Sequence, residues 1–294
     1  MRSPQFQTYI APARSRPQIW RLLLGILLCL VVYIAWVAGM LAALWALTGS
    51  GGFRGWADTI LQGRTAYGTQ ILLLTFLGMA LGPMLAARLL HRRNAGSLFG
   101  RGAVVVRDFV IAAGLVALVF GVATALWLLS YDAVPNLDWK VWLTLLPLSL
   151  LGLLIQTGAE ELVFRGYLQQ QLAVRFRSPV LWMVLPSLLF GAVHYDPETA
   201  GANVWLMMAA AAAFGLVAAD LTAVTGSLGA AWGFHFANNV AAILIVSLDG
   251  TLSGLSLFKT PYGADDAQML PRLIAIDLLV LTFTWALVRR ALRR

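Results

Sequence analysis

Residues 22 to 47 read LLLGILLCLVVYIAWVAGMLAALWAL, a run without one charged side chain. As an α-helix it is about 39 Å long at ~1.5 Å per residue, more than the ~30 Å hydrocarbon thickness of a bilayer. It also exceeds the roughly 7 to 15 residues of a signal-peptide core, so it is expected to stay in the chain as an anchor. The single cysteine, Cys29, lies inside it. That excludes a disulfide framework and a cysteine metal site, and a thiol in hydrocarbon stays protonated and inert.

The rest of the chain repeats the pattern. Of its 294 residues 60% are apolar and 12% charged, against roughly 25% charged in a soluble domain. Predominantly apolar runs predict spans at 20–48, 68–90, 104–130, 141–174, 179–195, 201–224, 228–248 and 271–288. The expected fold is all-α, a polytopic bundle of about eight transmembrane helices forming one domain over residues 20–294. A tethered soluble enzyme is excluded, and so is a β-barrel, which needs short alternating strands. Residues 1–19, with Pro4, Pro12 and Pro17, read as a disordered cytoplasmic leader.

Eight spans put both termini on one side. Arg88, Arg92, Arg93, Arg101, Arg175 and Arg177 fall on that side, whereas Arg54, Arg64, Lys140, Lys259 and Arg272 fall on the other. Basic residues concentrate on the cytoplasmic face of membrane proteins, so both termini are expected in the cytoplasm. The net charge of +8 is thereby spent on topology, which leaves the bilayer as a partner and excludes nucleic acid. A multi-pass protein of a cell membrane follows, and the Arg-, Gly- and Ala-rich style suits a bacterial inner membrane.

Charge inside a span costs about 2.5 to 3.5 kcal/mol at the helix centre. The chain has three glutamates, two of them adjacent in Gly158-Ala-Glu160-Glu161-Leu-Val-Phe-Arg165. Of its three histidines, His194 and His235 fall in apolar stretches, and His91 sits in an arginine-rich loop as an interfacial residue. Glu161 and Arg165 share a helix face and can pair. Glu160 points about 100° away. In the hairpin turning near Arg177, Glu160 and His194 both stand roughly 25 Å above the turn, so they can meet. His235 and Asn239 are also four apart on one face. They come out shallower than His194 unless their helix starts late among Gly226, Gly229 and Gly233. Asp220 and Asp277 lie near helix ends and read as topological or packing residues.

A carboxylate facing a histidine in a low-dielectric cavity activates water, while a second histidine and an amide can stabilise an oxyanion. These are the parts of an amide hydrolase. Glu160-Glu161-x-x-x-Arg165, Phe190-x-x-x-His194 and His235-x-x-x-Asn239 resemble the three ordered motifs of the CPBP family of intramembrane proteases, which includes type II CAAX prenyl endopeptidases. The motif-bearing core is 141–248.

The resemblance implies an endopeptidase acting on a membrane-associated protein or peptide, with or without a lipid anchor. It implies Glu160 as base, His194 orienting the water, His235 and Asn239 as oxyanion donors, and Glu161 with Arg165 in support. No cofactor is needed by this mechanism. The alternative is zinc held by Glu160, His194 and His235, against which the H-E-x-x-H spacing is missing. Two other functions fit a polar centre in a membrane: a noncatalytic scaffold such as a bacteriocin-immunity protein, and a proton-coupled transporter.

Overall fold

The computed structural model describes residues 3–293. It opens with α1 (Pro4–Ile10), capped by Ser3 and continued by a tight turn over Ala11–Ser15. Phe6, Tyr9 and Ile10 are buried, and the Phe6 ring lies 5.1 Å from that of Trp182. The expected disordered leader is therefore folded from residue 3 onward. Its proline-rich sequence hides three large apolar side chains that find a site on the bundle, while residues 1–2 lie outside the described part.

Among the described residues six helical stretches are long and apolar enough to cross a membrane. The first is α2 (Ile19–Gln62), broken at Gly49, whose φ of 65° favours glycine. Gly63, at φ 58°, turns the chain into α3 (Ala66–Leu89). α4 (Gly102–Ser130) is followed by a short strand β1 (Val134–Pro135). α5 (Trp139–Glu161) runs through a π-helical segment, Leu162–Gln169, into α6 (Gln170–Arg175). Next come a π-turn at Val180–Val184, α7 (Leu185–Ala192), the short α8 (Pro197–Ala200) and α9 (Val204–Thr225). α10 (Gly229–Asn239) passes through a second long π-segment, Val240–Ile245, into β2 (Val246–Asp249). β3 (Phe258–Gly263) and α11 (Met269–Leu292) complete the fold.

The expected eight spans are thus corrected to six. All eight helical regions form, but Val180–Ala192 is a shorter apolar helix, and the helix begun at Gly229 gives way to strand at Val246. At ~1.5 Å per residue the two cover about 20 and 26 Å, less than a bilayer core. Backbone that stops at membrane depth is tolerated where protein encloses it. The strands form a three-stranded sheet in the order β1-β3-β2, β1 antiparallel and β2 parallel to β3.

Small residues bring the central helices together. A Cβ at Gly229 or Gly233 would stand 2.2 Å from the carbonyl oxygen of Val105 or Phe109, so α10 lies backbone to backbone on α4. A Cβ at Gly191 or Gly215 would stand 2.5 Å from the Met208 carbonyl oxygen or 3.0 Å from Ser187 Cα, which seats α7 on α9. α11 is clamped to α9 by Asp220 Oδ2, which accepts from Trp285 Nε1 and Arg289 Nε at 2.8 Å each.

Candidate active site

Gln156 and Glu160 are four apart near the end of α5 and share a face, with Glu161 turned about 100° from it. Glu160 is 8% exposed, Glu161 0% and Arg165 1%. Glu161 Oε1 accepts from Arg165 Nη1 at 2.9 Å, and Arg165 Nη2 donates to the Gly215 carbonyl at 3.2 Å. The guanidinium also lies 4.7 Å from the Phe190 ring centre. This ion pair ties the π-segment after α5 to α9 and to α7. Such segments are frequent next to functional sites.

His235 lies about 200° round α10 from Gly233. Because Gly233 is pressed on α4, His235 faces the glutamates. Its Nδ1 lies 2.9 Å from Glu161 Oε1, and its Nε2 lies 3.5 Å from Glu160 Oε2. The Glu161 carboxylate thus fixes the proton on Nδ1 and turns Nε2 toward Glu160. The rings of Phe214 and Phe190 box the imidazole, with centres 4.8 and 6.0 Å away. The late helix start that the depths of His194 and His235 required is not found, since α10 begins within one residue of the start expected at 228. Gly226, at φ 69°, ends α9, and α10 begins at Gly229.

An amide chain completes the wall. Asn238 Nδ2 donates to Asn239 Oδ1 at 3.2 Å, Asn239 Nδ2 to Gln156 Oε1 at 2.9 Å, and Gln156 Nε2 to Glu160 Oε1 at 2.7 Å. Gln156 was missed in the sequence. The available signal was an amide in a membrane helix one turn before a buried glutamate.

Glu160, His194, His235 and Asn239 all line one cavity of about 210 Å³, together with Gln156 and Asp277. The imidazole at Glu160 is that of His235; the hairpin arithmetic had set His194 there. His194 stands on the turn after α7 ends at Ala192, and its Nδ1 bonds the Phe190 carbonyl at 2.7 Å. That leaves its Nε2 as an acceptor. Asp277, read as a packing or topological residue, lies on the cavity wall.

Among the described residues no three His, Cys, Asp or Glu side chains converge to hold a metal ion. Glu160, His194 and His235, the alternative zinc set, line the cavity without forming such a group. Glu160 Oε2 is buried without a hydrogen-bond partner, and a carboxylate oxygen so placed beside a cavity can take a proton from water.

Residues 139–241 match the family model described as Type II CAAX prenyl endopeptidase Rce1-like, so the chain carries a domain of that family. A curated relative, "Uncharacterized protein YyaK" of Bacillus subtilis (strain 168), is 33% identical over 126 residues. The match covers 42% of this chain and 41% of that protein. No solved structure matches.

Proposed function

We propose that this multi-pass membrane protein, with its Rce1-like type II CAAX prenyl endopeptidase family domain, is an intramembrane endopeptidase that cleaves its substrate with a water activated by Glu160. The observation that carries the reading is Glu160 Oε2, without a hydrogen-bond partner and 3.5 Å from His235 Nε2, beside the cavity that His194 and Asn239 also line.

Water entering the cavity gives one proton to Glu160 and points the other at His194 Nε2. The oxygen attacks the scissile carbonyl, and the oxyanion is met by the free amide hydrogen of Asn239 and by His235, whose Nε2 receives the Glu160 proton while the tetrahedral intermediate lasts and then returns it to Glu160. Glu160 then hands its proton to the leaving amine, so the products are a carboxylate and an amine. Glu161 and Arg165 position His235 and are not themselves in the reaction. No step passes through a metal. The substrate is a membrane-associated protein or peptide, with or without a lipid anchor. The protein resides in a bacterial cell membrane with both termini cytoplasmic, consistent with the arginine distribution.

The test uses the purified full chain in nanodiscs, with a comparison of membrane-protein C-terminal peptides from cells carrying either form to find the substrate. Glu160→Gln is expected to lower kcat/KM by about 10²- to 10⁴-fold, with an unchanged melting temperature. Cleavage that survives this substitution removes the proposal, and complete zinc-reversible loss on adding phenanthroline removes its metal-free form. A scaffold would work unchanged with Glu160→Gln, and a transporter would move a solute in proteoliposomes.

A further inference from the structure

Asp277 and Asp220 are both carboxylates on transmembrane helices, yet only one has partners. Asp220 is bonded by Trp285 and Arg289. Asp277, about 12 Å into α11 at ~1.5 Å per residue, makes no hydrogen bond or ion pair to any described residue and is exposed on the wall of the Glu160 cavity. It lies outside residues 139–241, the segment matching the family. An ionisable residue within a spanning helix is costly and is retained for what it faces.

The cavity has no cation of its own. Neither lysine nor arginine is among its lining residues, while Glu160 and Asp277 both are. The nearby Arg165 is committed to Glu161 and the Gly215 carbonyl. Glu160 is 8% exposed with Oε2 unpartnered and acts as the base, which leaves Asp277 as the charge open to an incoming ligand. Phe190, Phe214 and Leu281 give the same cavity apolar walls.

We propose that Asp277 is a specificity residue that binds a lysine or arginine side chain next to the scissile bond, so that the substrates are apolar peptide segments carrying a basic residue at the cleavage site. This rests on the reading of the cavity as a peptide-cleaving site. An apolar wall seats the neighbouring side chains, and the carboxylate replaces the water that a cation gives up on entering.

The test measures binding first, so that it does not depend on turnover. The full chain with Glu160→Gln, in zwitterionic nanodiscs, is titrated with dansylated apolar peptides identical except for a central Arg, Gln or Glu; empty nanodiscs correct for partitioning. The Arg peptide is expected to bind about 10- to 100-fold more tightly than the Gln peptide, and the Glu peptide most weakly. Adding Asp277→Asn is expected to erase the Arg preference over the Gln peptide, and Asp277→Arg to favour the Glu peptide. Equal binding of Arg and Gln peptides, or a preference that survives Asp277→Asn, overturns the inference. With Glu160 restored, a protein that binds the Arg peptide selectively but cuts none of the three removes the protease reading and keeps the charge selectivity.

Discussion

His91 and His235 are both buried, at 2% and 4% exposure, in two polar networks of one chain. His91 Nδ1 faces the Arg16 carbonyl and Nε2 the Tyr167 hydroxyl, so its ring is satisfied as a neutral group. His235 stands between two carboxylates, Glu161 at Nδ1 and Glu160 at Nε2. Each network also leaves buried atoms unpaired: Arg93 Nε and Nη2 around His91, Glu160 Oε2 and Glu161 Oε2 around His235. Burial and unpaired atoms therefore do not separate a catalytic centre from a structural one. The separation comes from what the imidazole faces and from the cavity beside it.

The comparison breaks most sharply at the two arginines. Arg165→Met strands the Glu161 carboxylate, and breaking a buried pair costs about 3 to 5 kcal/mol. Among the described residues Arg93 has one side-chain hydrogen-bond partner, Gln170 Oε1 at 2.6 Å, and no salt bridge. Arg93→Met removes an uncompensated buried cation and is expected to change stability by less than about 1 kcal/mol. Reversible unfolding in mixed detergent measures both. Equal losses would mean that the two networks are the same kind of structural polar core.

The glutamines sharpen it next. Gln156→Leu cuts the amide chain between Glu160 and Asn239, and misplaced catalytic groups are expected to lower kcat/KM by about 10- to 100-fold. Gln170→Leu removes the partner of Arg93 and is expected to cost about 1 to 3 kcal/mol without moving kcat/KM. A matching activity loss in Gln170→Leu would place the His91 network in the reaction.

What could be read from residues alone follows the same division. The six long spans and the polar residues Glu160, Glu161, Arg165, His194, His235 and Asn239 stand out because charge and amide are scarce in an apolar chain. Their pairing was harder to read. Rise arithmetic assumes straight α-helices, but π-segments follow both Glu161 and Asn239, and α7 ends before His194. The strands at Val246–Asp249 and Phe258–Gly263 were illegible because their pairing depends on a distant partner. His91 reads as interfacial and the α1 residues as part of a disordered leader because arginine and proline around them outweigh Phe6, Tyr9 and Ile10. Asp277 and Asp220 had the same local reading, and only the contacts of α9 with α11 tell them apart.

The smallest effect is the most specific to the difference between the histidines. His91 follows α3, outside the spanning helix, and burial lowers its pKa from 6.5 to about 4. Between those values the unfolded chain holds a proton that the folded chain refuses, so stability is full above about pH 6.5 and falls as pH drops toward 4. The loss over that window is about 1 to 3 kcal/mol, the lower end allowing for water at the ring edge. His91→Gln keeps an acceptor and a donor but cannot titrate. Its melting temperature is expected to decline less than that of the native chain between pH 6.5 and 4.5, with kcat/KM at neutral pH unchanged. An identical decline in both proteins would assign the acid sensitivity elsewhere and remove the claim that His91 is held neutral.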